Sequence, residues 1–119
     1  MIPMVFRWLV AFAFTQAVEA PIYVAGMEPG RPMRERWAIA LAASAITHPL
    51  VWFVIPDACV EIHPLLTGWW SVLVSELFAF GMEALWLTAF RVKHALFYAL
   101  LANVTSFTLG LFLYTHLGW

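Results

Sequence analysis

The sequence predicts an all-α integral membrane protein, a four-helix transmembrane bundle of up-down topology forming one domain over residues 1–119. Three observations predict it. Four apolar segments, each close to the ~20 residues that cross a hydrocarbon core, are separated by short polar breaks. Charged residues make up only 11% of the chain and mean hydropathy is +0.86, against about 25% charged residues in a soluble domain. The segment Trp69 to Phe90 contains two glutamates and neither Lys nor Arg. An acid in hydrocarbon costs at least ~2.5 kcal/mol on insertion scales, so the face that carries Glu76 and Glu83 is expected to look inward.

The first segment runs from Pro3 to Ala25, with Pro3 suited to a first helical turn. Arg7, the apolar run from Trp8 and the Val18-Glu19-Ala20 triplet imitate a signal peptide. The apolar stretch continues through Pro21 and Tyr23, so we read a retained helix. Gln16, Glu19 and Tyr23 share one face of it by their spacing. The break GMEPGRPMRER is dense in Gly, Pro and charge and should not be helical throughout.

The second segment, Trp37 to Ile55, is expected to end at Pro56 and to kink near mid-membrane. Pro49 supplies no N–H, which leaves the carbonyl of Ala45 without its helical partner beside His48. In the break PDACVEIHPLLTG, the residues Asp57, Cys59, Glu61 and His63 alternate, so an extended strand would turn all four to one side. They are metal-capable side chains, but they match no standard ligand spacing, and nothing in the sequence specifies a cofactor. A solvated loop is the simpler expectation.

In the third segment, Glu76 and Glu83 lie seven residues apart, two turns along one helix face. The turn holding Arg91 and Lys93 leads to the fourth segment, His94 to Leu117. There Ala99, Asn103, Ser106 and Gly110 form a small-residue stripe that lets another helix approach closely. His94 and His116 read as interfacial residues, and Trp8, Trp37, Trp69, Trp70 and Trp119 fall where indoles anchor helix ends.

Five of the six Lys and Arg lie in the first and third breaks: Arg31, Arg34, Arg36, Arg91 and Lys93. The bias predicts an inner or plasma membrane protein with those breaks in the cytoplasm and both termini outside. An internal repeat is also suggested. Glu19-Ala20 matches Glu83-Ala84, and ALAASAIT (Ala40 to Thr47) matches ALLANVTS (Ala99 to Ser106), as two parallel hairpins would.

Depth along each segment predicts a polar ladder across the membrane. Its candidate transport or proton-relay residues are Glu19, His48, Glu76 and Glu83, with Gln16, Thr47, Asn103 and Ser106 in support. Withdrawal from water favours the neutral form of a carboxyl, and imidazole titrates near neutrality, so such a ladder could exchange protons. The structural alternative is polar glue, in which the same groups hydrogen-bond one helix to the next.

These observations rank a proton- or cation-coupled transporter or channel first, because the ladder spans the membrane. A structural or assembly subunit comes second and an intramembrane enzyme on a lipid-like substrate third. Four short spans with a glutamate in the first resemble the small multidrug transporters, some of which insert in both orientations; the Lys/Arg asymmetry here departs from that habit. With so few helices, a pathway is expected between copies of the chain or at the repeat interface, and the expected neighbours are further copies or a partner membrane protein. No catalytic motif occurs, so catalysis would rest on His48 with Glu76 or Glu83. The net charge of −1 and the absence of a basic run argue against a nucleic-acid partner, and the single Cys59 excludes an intrachain disulfide.

Overall fold

Proline sets the start of three helices. In the computed structural model, which describes residues 1–118, α1 (Met4–Gly26) follows Pro3, α2 (Met33–Phe53) follows Pro32, and α3 (Ile55–Ile62) carries Pro56 in its first turn. Proline's fixed φ suits those positions, and its missing N–H would find no partner there in any case. The remaining helices are α4 (Trp69–Ala89) and α5 (Ala95–Leu117), and the described residues contain no strand.

Two sequence expectations change. Helix α2 begins at Met33, so the MRER part of the first break is its opening turn; only the Gly/Pro-rich residues ahead of it stay irregular. The second break is not extended, because Ile55 to Ile62 form α3. Ile55, Pro56, Ala58 and Cys59 are its more buried positions, a helical spacing that outweighs the period-two alternation of the polar residues. Helix α2 continues through Pro49, and a 45° bend separates it from α3.

Helix α1 packs on α2 and α5, and α4 packs on the same two; α1 and α4, like α2 and α5, make no close backbone approach among the described residues. Small residues fill the centre, with Ala20, Ala40, Ala43, Ala84, Ala99 and Ala102 all buried around Tyr23 and Leu87. Large apolar side chains such as Leu41, Leu77, Leu85, Phe97, Leu100 and Phe112 point outward. A protein in water would do the reverse. In lipid the outer face needs no polar cover, and close packing of small residues holds helices together. Helices α1, α4 and α5 are each long and apolar enough to cross a membrane, and α2 with α3 would make a fourth, bent span. The molecule has the make-up of a small membrane protein.

One end is tied by its loops. Arg31 Nη2 donates to the carbonyl of Phe90 at 2.5 Å, joining the first break to the α4–α5 turn. Arg36 donates to the carbonyls of Arg31 and Pro29. In the turn, Arg91 has φ 56°, its N–H donates to Thr88, and the N–H of Val92 reaches back to Leu87 at 3.0 Å. That is a Schellman closure in which arginine occupies the left-handed position usually given to glycine, and buried Val92 and Leu87 supply its apolar contact. Next to this end, Gly26 lies under the ring of Tyr98, where a Cβ would come within 2.8 Å. Of the expected interfacial tryptophans, Trp37, Trp69 and Trp70 are exposed near helix ends, while Trp119 lies outside the described residues.

Candidate functional site: a buried two-carboxyl core

The centre of the molecule holds two glutamates, each only 2% exposed. Glu19 comes from α1 and Glu83 from α4, the two helices that face each other across the centre. Their partners come mainly from α2 and α5. Ser44 donates its hydroxyl to Glu19 Oε2 and Ser106 donates to Oε1, both at 2.5 Å. Thr47 donates to Glu83 Oε1 at 2.8 Å, and Asn103 Nδ2 donates to Oε2 at 2.8 Å. A fifth contact crosses the centre, with the Tyr23 hydroxyl of α1 donating to Glu83 Oε2 at 2.5 Å.

Every carboxyl oxygen thus has a partner, and every partner is neutral. Buried polar groups avoid their desolvation penalty only when satisfied in this way. Four of the five donors are hydroxyls, which can also accept, so the same lattice can serve an ionised or a protonated carboxyl by reversing one hydrogen bond. Asn103 is oriented by a further bond from its amide to the Ala99 carbonyl at 2.8 Å.

Of the residues expected along the ladder, the core joins Glu19, Thr47, Glu83, Asn103 and Ser106. Glu76 stays outside; it is half-buried and has no hydrogen-bond partner among the described residues. Gln16 donates to the Leu41 carbonyl at 2.8 Å, while its buried Oε1 has no partner among the described residues. His48 is 9% exposed but meets no glutamate. Its Nε2 lies 3.3 Å from the Thr15 hydroxyl, and the rings of Phe12, Trp52 and Trp8 surround it at centroid distances of 5.3, 6.1 and 6.4 Å. One residue of helix turns the side chain by about 100°, so Thr47 reaches Glu83 while His48 faces α1.

Two members of the core carried less weight in the sequence. Ser44 stands three residues before Thr47 and shares its face, which was the available signal. Tyr23 was visible as part of the Glu19 face, but its reach across to Glu83 depends on how α1 faces α4.

The alternating residues after Pro56 do not converge. Asp57 and Glu61 are exposed on α3, Cys59 is buried, and His63 Nδ1 accepts the N–H of Leu65 at 3.1 Å. No group of three or more His, Cys, Asp or Glu among the described residues could hold a metal ion. No protein-family model, curated protein sequence or solved structure matches this chain.

Proposed function

We propose that the chain is a structural or assembly subunit of a membrane complex, in which Glu19 and Glu83 lock four spans together and the outer faces serve lipid and partner helices. The carrying observation is that both buried carboxyls are fully occupied by neutral donors from other helices. A site that loads and releases an ion needs a coordination position that opens to water, whereas a lock needs complete internal satisfaction.

In this reading the spans form an up-down four-helix bundle. Support comes from paired residues whose numbers run in opposite directions: Glu19 with Ser44, Thr15 with His48 and Trp8 with Phe53 along α1 and α2. Along α1 and α5, Gly26 meets Tyr98 and Glu19 meets Ser106. The bundle is two pseudo-symmetric hairpins. The matched segments place Glu83 opposite Glu19, Asn103 opposite Ser44 and Ser106 opposite Thr47, and that exchange carries each glutamate's α2 and α5 bonds into those of the other. The basic end faces the cytoplasm in an inner or plasma membrane, with the termini on the far side.

A second reading, proton-coupled transport, is favoured by Glu76, a half-buried acid without a hydrogen bond two turns from Glu83. Glu83→Gln separates the two. The amide keeps one acceptor oxygen but sets an NH2 group against donors, so a lock loses about 1–2 kcal/mol of unfolding free energy in micelles. A carrier folds and inserts as before and loses flux in proteoliposomes. A stoichiometric membrane partner in mild-detergent purification, with no flux by the chain alone, supports the subunit; flux that Glu83→Gln abolishes without loss of stability refutes it.

A further inference from the structure

Two cavities open side by side between α2 and α4. One, about 350 Å³, is lined by Arg31, Glu35, Ala38, Ile39, Trp86 and Phe90. The next, about 240 Å³, shares Trp86 and continues past Ala43 and Met82 to Thr47. Trp86 of α4 lines both, and where they meet its Nε1 donates across to the Ile39 carbonyl of α2 at 3.0 Å. Along α2 the two cavities together extend from Glu35 to Thr47, about 18 Å at helical rise, a little more than half of a ~30 Å hydrocarbon core, and we treat them as one groove. It has the length of one leaflet.

The mouth is lined by one base, Arg31, and one acid, Glu35, at an end of the molecule where bases outnumber acids, and the remainder is apolar. Arg31 lines the mouth and uses one guanidinium hydrogen on Phe90, which leaves other donors free. The same end carries Arg34, Arg91 and Lys93, whose side chains have no hydrogen-bond partner among the described residues, against the two acids Glu28 and Glu35. We infer that this groove binds one anionic phospholipid, its headgroup at Arg31 and one acyl chain lying along Trp86 towards Thr47. Charge at the mouth and apolar walls beyond it match such a lipid from end to end. A zwitterionic headgroup would set its ammonium against Glu35, so the preference for an anionic one rests on the surplus of Arg34, Arg91 and Lys93 around the mouth. The inference requires membrane insertion and is independent of whether the glutamates are locks or carriers.

The test uses the full chain purified in mild detergent, incubated with equal amounts of phosphatidylglycerol and phosphatidylcholine, and read by native mass spectrometry. One phosphatidylglycerol should be retained per chain in clear preference. Arg31→Gln should lower that preference about fivefold, the effect of one basic side chain at a lipid surface. Because Arg31 also holds the α4 end, two further variants leave that contact intact: Glu35→Gln should raise retention, and Ala38→Phe, which fills the groove, should abolish it with helicity unchanged. Equal retention of both lipids overturns the inference. So does a preference unmoved by Glu35→Gln and Ala38→Phe, or a second protein chain occupying the groove. Loss of stability in Glu83→Gln with lipid retention intact leaves the groove standing, so the two proposals fail separately.

Discussion

Glu19 and Glu83 occupy comparable positions and are equally buried, yet their surroundings differ in what happens when the carboxyl is removed. Glu19 is held by two serines. Serine in a helix can turn its hydroxyl to a carbonyl one turn back, and Ser106 already lies 3.2 Å from the Asn103 carbonyl. Glu83 is held by Thr47, Asn103 and Tyr23. Thr47 has similar recourse, with carbonyls of Ala43 and Ser44 at 3.4 Å. Tyr23 has none, because a phenol hydroxyl stands too far from its own backbone, and only Asn103 Nδ2 lies nearby at 3.4 Å. The matching residue on α4 in the proposed repeat is Leu87, fully buried like Tyr23 and with no polar tip. One half of the core can relax after losing its acid and the other cannot.

The largest effect should therefore come from Glu83→Met, which keeps most of the volume, strands the Tyr23 O–H and leaves one Asn103 hydrogen only the long 3.4 Å contact to the Tyr23 oxygen. Interhelical hydrogen bonds in membranes average ~0.6 kcal/mol and reach about 2, and a stranded buried donor adds its own penalty. We expect a loss of about 2–4 kcal/mol in micellar unfolding. Glu19→Met should lose about 1–2 kcal/mol, since both serines can fall back on their own helices. Equal losses for the two variants would break the comparison. Tyr23→Phe removes the bond to Glu83 and the long 3.4 Å contact from Asn103 and keeps the ring, so about 1 kcal/mol is expected by the same assay. Ser106→Ala should be smallest, about 0.5 kcal/mol, because Ser44 still holds Glu19. A larger effect there than for Tyr23→Phe would reverse the account.

Much of the fold was legible in the sequence. The apolar runs marked α1, α4 and α5 to within a residue or two, because a lipid-facing helix cannot tolerate charge. Helix α3 was not legible, since alternating polar residues after Pro56 imitate a strand, and only packing against α2 and α4 shows the helical period. In the core, depth was readable and rotation was not. Thr47 and His48 have the same depth, yet one meets Glu83 and the other an aromatic cluster with Thr15. Glu76 lies on the same face as Glu83 but about 10 Å along the helix, beyond the donors that α2 and α5 supply. Tyr23 illustrates the remaining gap: its partner sits 60 positions away, on a helix that α1 meets only through side chains.

The most direct test is a double-mutant cycle between Tyr23→Phe and Glu83→Met, with unfolding free energies measured in the same micelles. If the phenol and the carboxyl form the lock across the centre, the two losses will be non-additive, with a coupling of about 1 kcal/mol. Additive losses, with coupling inside the ~0.3–0.5 kcal/mol expected of independent sites, would contradict the account and return Glu83 to the role of a carrier.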